Sequence, residues 1–453
     1  MKQLVVASTS YQCLSLAAAA EAGVLPDADE RVLVLATSSQ VPELSADLQD
    51  QQGFARVAAR FDRVVDLAAL LYPRRPVQFA PRDVEVLTWQ RLLRSHWGLD
   101  DDRIQILMDS VQVNPALALA RIFDEADLYA HSDGLMTYSP TRKQLPRQLG
   151  QRLVGLVCVD LVPGLSPKLL TEEAVTHLIV PADSVRQLIK EVTRPGDGSG
   201  PTAHDDRPTA LILGQYLSSL QLLTRQQESE LHRRMIVEAA TRGAEVCRFK
   251  PHPSSPPTMI LDLTEQAERL GIELVVDAST EIAEITMYRS RPRWVISCFS
   301  TGLATARYLL GIEAVAVGTR DLLTSLSPYQ NSNRVPLVLA ELLFTDRMID
   351  DRRFLAPDEI EDPDPRLDLQ RLVDAVAYCM QPTLLPQASG PAAEYLTLIG
   401  DRPELLSTVF RRRRLTALGL PGSLPQPSPM ARLSQRLTGG IRRLSGGPSR
   451  SAP

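Results

Sequence analysis

The sequence predicts an α/β protein built from two Rossmann-like, doubly wound domains that face a common cleft. Its 453 residues exceed the length of one ordinary α/β domain. Short apolar runs alternate with helical patterns in both halves of the chain, as expected for parallel strands that helices cover on both faces. A stretch rich in Pro, Gly and Asp at 195–208 lies between the halves and has the composition of a linker.

The first predicted domain covers residues 1–194. Its apolar runs predict strands at 4–8, 31–37, 103–108, 126–131 and 153–159. The second predicted domain, residues 209–385, repeats this order, with strands predicted at 209–214, 244–250, 272–277, 293–298 and 313–318 and helices at 225–242 and 259–270. Because doubly wound sheets bind ligands at the carboxyl ends of their strands, the cleft between the domains is the expected binding site.

Composition and charge argue against several classes of protein. Hydrophobic residues make up 44% and charged residues 23% of the chain, which is typical of a globular protein. The net charge of −5 argues against a general nucleic-acid binder. Five cysteines without a CxxC pair argue against a secreted disulfide framework and a zinc site, and they indicate a cytoplasmic protein. The apolar runs are short, so we expect neither a signal peptide nor a membrane-spanning helix.

Residues 386–453 are predicted to form a basic tail. They are rich in Pro, Ser, Gly and Arg, and no acidic residue occurs from 405 onward. Apolar residues recur there at helical spacing, at Met430, Leu433, Leu437, Ile441 and Leu444. With the interleaved arginines they predict an amphipathic helix on an anionic membrane surface. The alternative is an irregular solubilising tail, which the helix-weakening pair Gly439 and Gly440 favours.

The segment RFKPHPSSPP at 248–257 follows a predicted strand of the second domain. Pro251 and Pro253 favour an extended loop, in which Lys250 and His252 point to the same side. A cation beside an imidazole suits a nucleotide phosphate, and the imidazole can protonate a leaving phosphate. The alternative is that His252 only ties the loop and that Lys250 is solvated.

Two further segments place polar residues at strand ends. Ser297, Ser300, Thr301 and Gly302 lie between a strand and a helix predicted to start near 303, which suits an anion site or an ordinary helix cap. In the first domain a strand ends shortly before an Asp-Gly dipeptide. This aspartate is a candidate general base that faces the cleft, and the alternative is a simple Asp-Gly turn.

Taken in order, these segments resemble the signatures of the bacterial sialyltransferases and polysialyltransferase-like proteins. The Asp-Gly dipeptide stands where this family has an acidic-acidic-Gly motif, KPHP where it has an HP motif, and SxxSTG where it has a Ser-Ser/Thr motif. The similarity extends over most of residues 1–320. It implies the GT-B fold, in which two Rossmann-like domains face a cleft, and transfer of a sugar from a nucleotide donor to a glycan acceptor.

The resemblance implies roles for individual residues. Asp133 would deprotonate the acceptor hydroxyl, and Gly134 would belong to the same substrate-binding turn. His252 would contact the phosphate of CMP and assist its departure, and Pro253 belongs to the same substrate-binding motif. One position departs from the family pattern: Ser132 stands at the first acidic position. If the family's base were at that position, this chain would lack it.

The remaining roles concern the donor. Ser300 and Thr301 would bind the phosphate or the sugar carboxylate, and Lys250 would lie near the cytidine. Glu284 resembles the family's carboxylate that holds the ribose hydroxyls, with Glu281 as a rival. The alternative for Glu284 is a charge on a helix surface. The pair Gly214 and Gln215 resembles the family's LGQ stretch, without an assigned role.

The implied reaction is the inverting transfer of sialic acid, or a related nonulosonic acid, from a CMP-activated donor, in the cytoplasm or at the inner face of the membrane. The single phosphate suggests that no metal or other cofactor is needed. The nearest acidic pair of the DxD kind is Asp362 and Asp364, in a turn. Two alternatives stay open: a CDP-glycerol-type phosphotransferase of cell-envelope polymer synthesis, and a non-catalytic nucleotide-sugar-binding homologue, which Ser132 favours.

Overall fold

A computed structural model describes residues 1–37, 47–194, 207–215, 217–252, 258–345 and 368–425. The first sheet contains seven strands: β1 (Lys2–Ala7), β2 (Glu30–Leu35), β3 (Arg63–Asp66), β4 (Ile104–Met108), β5 (Asp127–Ser132), β6 (Leu153–Val159) and β7 (Thr176–Val180). Neighbouring strands are parallel throughout, in the order β3-β2-β1-β4-β5-β6-β7. This is a doubly wound sheet, as predicted.

Two of these strands, β3 and β7, are not predicted by the sequence. They lie at the two edges of the sheet, and most of their residues are only partly buried. An edge strand has a neighbour on one side only, so it does not require a continuous apolar run. The polar residues Arg63 and Asp66 in β3, and Thr176 and His177 in β7, interrupt the pattern that identifies the central strands.

Helices cover both faces of the first sheet: α1 (Ser10–Glu21), α2 (Phe54–Ala58), α3 (Leu67–Leu71), α4 (Val86–His96), α5 (Ala116–Ile122), α6 (Arg147–Gly150) and α7 (Ala182–Val192). Alternate residues of β1 enter different apolar clusters. Val5 and Ala7 belong to one cluster, and Leu4 and Val6 belong to the other. Because both faces of β1 are buried, its residues 4–7 form an uninterrupted apolar run.

The second sheet has five parallel strands: β8 (Thr209–Leu213), β9 (Val246–Lys250), β10 (Glu273–Val276), β11 (Trp294–Ser297) and β12 (Glu313–Ala316). Its helices are α8 (Arg225–Thr241), α9 (Thr258–Leu270), α10 (Ala283–Ser290), α11 (Thr301–Ala304), α12 (Thr319–Ser325) and α13 (Arg334–Leu343). Each predicted strand and helix of this domain overlaps one of these elements. The predicted fold class, with two doubly wound α/β domains, is confirmed.

The strand order reverses once in each sheet. The second sheet has the order β10-β9-β8-β11-β12, so the reversals lie between β1 and β4 and between β8 and β11. At such a switch point the connections leave to opposite sides and open a crevice at the carboxyl ends of the strands. Asp133 follows β5, His252 follows β9 and Ser300 follows β11. All three candidate residues therefore lie at strand ends where ligands are expected.

Four more helices follow the second sheet: α14 (Leu369–Met380), α15 (Ser389–Leu398), α16 (Pro403–Thr408) and α17 (Arg412–Leu418). The prediction that a tail begins at residue 386 is wrong, because α15, α16 and α17 lie beyond that point. Tyr395 and Phe410 are fully buried in the main apolar cluster. Arg411 and Arg414, part of the predicted basic block, donate hydrogen bonds to backbone carbonyl oxygens.

The short length of these helices explains the error. With 10, 6 and 7 residues, they are too short to show a clear helical period. The amphipathic helix predicted at 430–444 and the linker segment 195–206 lie outside the described residues. Among the helices in the described ranges, none is long and apolar enough to cross a membrane.

Replacing Phe410 by Ala tests whether the C-terminal helices belong to the folded body. The ring is buried in the main cluster, so we expect Phe410→Ala to lower the free energy of unfolding by about 3–5 kcal/mol. Urea denaturation followed by tryptophan fluorescence measures this loss. Leu398→Ala is the control, because Leu398 is exposed at the end of α15 and its loss should cost under about 1 kcal/mol. If Phe410→Ala lowered the free energy of unfolding as little as Leu398→Ala does, the C-terminal helices would not be packed into the folded body.

Candidate active site

The first domain contributes the end of β5 to the cleft. His131 Nε2 lies 2.9 Å from the carbonyl oxygen of Val6. The hydroxyl of Thr137 donates to that of Ser132 over 2.7 Å. Ser132, which stands at the first position of the acidic motif, is therefore tied to its own loop. Asp133 is the carboxylate that remains at this strand end.

The carboxyl group of Asp133 lies in a desolvated environment. Burial raises its pKa, and the negative charge of Asp109 adds to the increase. His131 and a hydrogen bond from Gln12 act in the opposite direction without cancelling it. A carboxylate with a raised pKa is a stronger base, which suits removal of a proton from a hydroxyl group.

A cavity of about 780 Å³ opens beside Asp133. This volume lies in the range of small-molecule sites, about 300–1,000 Å³. Arg142 and Lys143 also line the cavity, and both are exposed. Thr141 is buried instead, and it accepts a hydrogen bond from the backbone N–H of Leu170. The cavity therefore combines the carboxyl groups of two aspartates with two solvent-accessible cations.

In the second domain the backbone is tightly packed where β8 and β9 end. Gly214 donates its N–H to the carbonyl oxygen of Lys250 over 2.9 Å. A Cβ atom at position 214 would lie 3.0 Å from the ring of Phe249, 3.2 Å from that carbonyl oxygen and 3.4 Å from the backbone nitrogen of His252. Glycine at this position lets the His252 loop lie against the end of β8, next to the switch point.

Lys250 forms an ion pair with Asp277. Its ammonium nitrogen lies 3.3 Å from Asp277 Oδ2 and 3.2 Å from the hydroxyl oxygen of Ser279. Burial opposes ionisation of Asp277, but hydrogen bonds from Ser279 and the charge of Lys250 outweigh it and lower the pKa. Lys250 thus connects the ends of β9 and β10, and the alternative of a solvated lysine is wrong.

His252 remains accessible to solvent at the end of β9. Burial of part of the ring lowers the pKa of His252, although the negative charge of Glu228 opposes this shift. The neutral imidazole therefore predominates at pH 7, and an anionic ligand would favour its protonation. Pro253, the next residue of the predicted motif, lies outside the described residues.

The predicted hydroxyl and glycine residues after β11 have different roles. Ser297 is buried and donates to the carbonyl oxygen of Leu213 over 2.9 Å, so it belongs to the sheet. Ser300 caps α11 and accepts a hydrogen bond from the N–H of Gly302 over 3.2 Å. The helix begins at Thr301, slightly earlier than predicted, because Ser300 already supplies the cap.

Thr301 joins the two domains. Its hydroxyl oxygen accepts a hydrogen bond from the backbone N–H of Leu135 over 3.2 Å. A Cβ atom on Gly134 would lie 2.8 Å from the same oxygen, so only glycine allows this approach without a shift. The Asp-Gly turn of the first domain and the Ser-Thr motif of the second domain are therefore in direct contact.

Glu284 is buried near the same interface. It lies in the first turn of α10, and burial, together with the negative charge of Asp133, raises its pKa to about 7. The alternative of a helix-surface charge is wrong. Glu281, the rival candidate, forms an ion pair with Arg289, and Arg289 Nη1 also lies 3.0 Å from Gln52 Oε1 of the first domain. Glu281 therefore supports the domain interface.

Three polar residues of the site are not predicted by the sequence: Tyr11, Gln12 and Asp277. Burial, and then the charges of Glu284 and Asp133, raise the pKa of Tyr11 well above its usual value, so its hydroxyl lies near both carboxyl groups. Tyr11 and Gln12 follow β1, and Asp277 directly follows β10. A polar residue just after an apolar strand is the signal that identified Asp133, and it was available for Asp277, whereas Tyr11 and Gln12 lie in the first turn of α1.

The fold and the cleft define the class of protein, a two-domain α/β protein of the GT-B type. The family model described as alpha-2,8-polysialyltransferase (POLYST) matches residues 3–319, and the chain belongs to this family. The resemblance drawn from the sequence motifs is thus confirmed. The protein is a sialyltransferase-like glycosyltransferase, and its family implies a nucleotide-sugar donor and a glycan acceptor. Among curated proteins, none matches the sequence.

Several solved structures have a similar fold at low sequence identity. UDP-GlcNAc 2-epimerase from Methanocaldococcus jannaschii is 12% identical, over 77% of this chain and 93% of its own, with a TM-score of 0.39. The GT-B domain of a sialyltransferase from Photobacterium damselae is 11% identical, over 76% and 96%, with a TM-score of 0.38. A glycosyltransferase from Rickettsia africae is 11% identical, over 98% and 99%, with a TM-score of 0.37. The assignment rests on the family match.

Replacing Glu284 by Gln should change how stability depends on pH. Because the folded protein raises the pKa of Glu284 from 4.5 to about 7, ionisation of this residue destabilises the fold as the pH rises through that range. Glutamine cannot ionise. The melting temperature of the variant, relative to wild type, should therefore rise by several degrees between pH 5 and pH 8, at about 2–4 °C per kcal/mol.

Glu281→Gln is the matched control for this experiment. It removes an ion pair with Arg289, so it should not gain stability relative to wild type as the pH rises. Melting curves of all three proteins across the same pH range give the comparison. A constant difference between Glu284→Gln and wild type would show that Glu284 does not titrate in a buried site.

Proposed function

We propose that the protein transfers sialic acid, or a related nonulosonic acid, from a CMP-activated donor to a glycan acceptor, with inversion at the anomeric carbon. One observation carries this proposal. The chain belongs to the polysialyltransferase family. Its turn formed by Asp133 and Gly134 lies directly against Thr301, across the cleft between the domains. This contact supports a reaction centre with a carboxylate on the acceptor side and hydroxyl groups on the donor side.

The donor would bind at the carboxyl ends of the second sheet. His252 would contact the phosphate of CMP, and the hydroxyls of Ser300 and Thr301 would bind the phosphate or the sugar carboxylate. The tight packing at Gly214, which brings the His252 loop against β8, supports this arrangement. Lys250 would lie near the cytidine while it keeps its ion pair with Asp277.

Glu284 would accept hydrogen bonds from the ribose hydroxyls. Donated hydrogen bonds favour the ionised form of a carboxylate. Because burial raises the pKa of Glu284 to about 7, binding of the ribose would release a proton near neutral pH. Because Glu284 is buried, the ribose hydroxyls would donate to its carboxylate the hydrogen bonds that water donates to an exposed carboxylate.

In the proposed reaction the acceptor oxygen forms a bond to the anomeric carbon while the bond from that carbon to the phosphate oxygen breaks. The proton of the acceptor hydroxyl passes to Asp133, whose raised pKa suits a base. The bonding electron pair leaves with CMP. His252 and Ser300 stabilise the charge that develops on the phosphate. Attack from the side opposite CMP inverts the anomeric carbon.

We also propose that the reaction needs no divalent metal. CMP carries one phosphate, and a protonated His252 with neighbouring hydroxyl groups can neutralise it. The acidic pair Asp362 and Asp364 lies outside the described residues. A cytoplasmic location, with the helix predicted at 430–444 on the inner face of the membrane, completes the proposal.

Isothermal titration of CMP, CDP and CMP-sialic acid in EDTA tests the donor. We expect CMP and CMP-sialic acid to bind, and His252→Gln to weaken CMP binding at least about tenfold through loss of a charge-assisted hydrogen bond. Because a bound phosphate would raise the lowered pKa of His252, wild-type affinity should increase as the pH falls from 8 to 6, more than in the variant.

His96→Gln is the control, because His96 is an exposed histidine of α4 in the first domain. It should leave CMP binding unchanged. Tighter binding of CDP than of CMP would favour a CDP-glycerol-type phosphotransferase. If the wild type bound no cytidine nucleotide, the proposed donor would be wrong.

Replacing Asp133 by Asn separates catalysis from donor binding. Loss of the base should lower kcat by about 10²–10⁴-fold, while the Kd of CMP changes by less than about tenfold. Ser132→Ala is the control, because the Ser132 hydroxyl is already bonded to Thr137. If the kcat of Asp133→Asn stayed unchanged while the Kd of CMP rose, the base would be another residue. A wild-type protein that binds the donor but transfers no sugar would be a non-catalytic homologue.

A further inference from the structure

The connection between β3 and β4 presents large apolar side chains to solvent. Fourteen such side chains are exposed in the described residues, and five of them lie between positions 72 and 92, so the exposure is concentrated here. Tyr72 is 83% exposed, Val84 82% and Leu87 65%. Val77 and Leu92 complete the set. We call the exposed side chains of residues 72–96 the β3–β4 surface.

These five side chains are not needed to pack their own segment. The connection is anchored to the first domain by other, buried side chains, namely Leu71, Phe79, Leu93 and Trp97. On α4, Leu87 and Arg91 are four residues apart, so they share one helix face, and both are exposed. The outward face of α4 is therefore both apolar and basic.

The β3–β4 surface is positively charged in an acidic protein. Residues 72–96 contain five arginines and two acidic residues, a net charge of +3, whereas the whole chain carries −5. Both acidic residues form ion pairs with arginines. Arg82, and to a smaller extent Arg74, lowers the pKa of Glu85, so Arg74 lies beside the start of α4. Arg74 and Arg91 are exposed and extend the basic surface.

We propose that the β3–β4 surface docks the protein on an anionic lipid bilayer. Large apolar side chains interleaved with arginines suit the boundary between headgroups and acyl chains, where apolar groups leave water and guanidinium groups meet lipid phosphates. Tyr72 fits this boundary, since its ring is apolar and its hydroxyl group can remain hydrated. A second copy of the chain fits less well, because a two-fold dimer would bring two positive surfaces together.

This docking goes beyond the proposed transfer reaction and does not depend on it. The surface belongs to the first domain, which also contributes Asp133, so docking would attach the acceptor-side domain to the bilayer. It is also separate from the helix predicted at 430–444. A soluble acceptor should therefore react equally well with docked and undocked protein.

Cosedimentation of the full-length protein with vesicles tests the proposal. Vesicles of phosphatidylcholine are compared with vesicles that also contain phosphatidylglycerol, at low and at high salt. The double variant V84D/L87D puts two carboxylates on exposed positions, so it should fold normally and bind the anionic vesicles at least about fivefold more weakly. Leu220→Asp is the matched control: Leu220 is 60% exposed but lies in the second domain, and binding should not change.

Binding that requires phosphatidylglycerol, falls at high salt and is at least about fivefold weaker in the double variant supports docking. Equal binding to both kinds of vesicle, unchanged binding of the variant, or no binding of the wild type would overturn it. If the variant instead dissociated an oligomer in sedimentation velocity, the surface would be a contact between copies. The kcat with a soluble oligosaccharide should be the same in wild type and variant, which separates this test from that of the transfer reaction.

Discussion

The parallel arrangement of both sheets restricts where this protein can expose polar groups to a ligand. Each described strand runs parallel to its neighbours, and helices cover the sheets, so the central strands are buried on both faces. Polar side chains that meet a ligand must then come from segments that leave the carboxyl ends of the strands. Asp133, His252 and Ser300 all occupy such segments. The same restriction places Gln12 and Asp277 in the site, although neither belongs to a recognisable motif.

Facing strand ends bring carboxyl groups of both domains into one desolvated region. Gly134 has no side chain to keep it away from Thr301, and burial desolvates the carboxyl groups of both Asp133 and Glu284. The negative charge of Asp133 adds to the effect of burial on Glu284. Two carboxylates in a medium of low dielectric constant repel each other, so one of them tends to hold a proton. Ligand hydroxyl groups can relieve this repulsion, because they donate hydrogen bonds to the ionised form.

Arginine residues serve different purposes in different parts of the chain. Arg334 is fully buried; burial lowers its pKa to about 10, and its guanidinium carbon lies 3.9 Å from the ring centre of Tyr329. Arg411 and Arg414 bind backbone carbonyl oxygens and help to fix the C-terminal helices. The arginines of the β3–β4 surface, in contrast, include exposed side chains that extend a basic surface. Net charge alone does not distinguish these roles, since it counts each arginine equally.

Local patterns were enough to predict the α/β class, most central strands and the motif positions, because two-sided burial imposes continuous apolar runs and motifs occupy a few adjacent residues. The edge strands β3 and β7 and the short C-terminal helices were not predicted. An edge strand does not require a continuous apolar run, and a helix of six to ten residues is too short to show a clear helical period. The partners of the site residues came only from the three-dimensional arrangement: Lys250 pairs with Asp277, Glu284 is buried, and Thr301 contacts the first domain. These contacts join residues far apart in the chain, and periodicity within one segment carries no information about them.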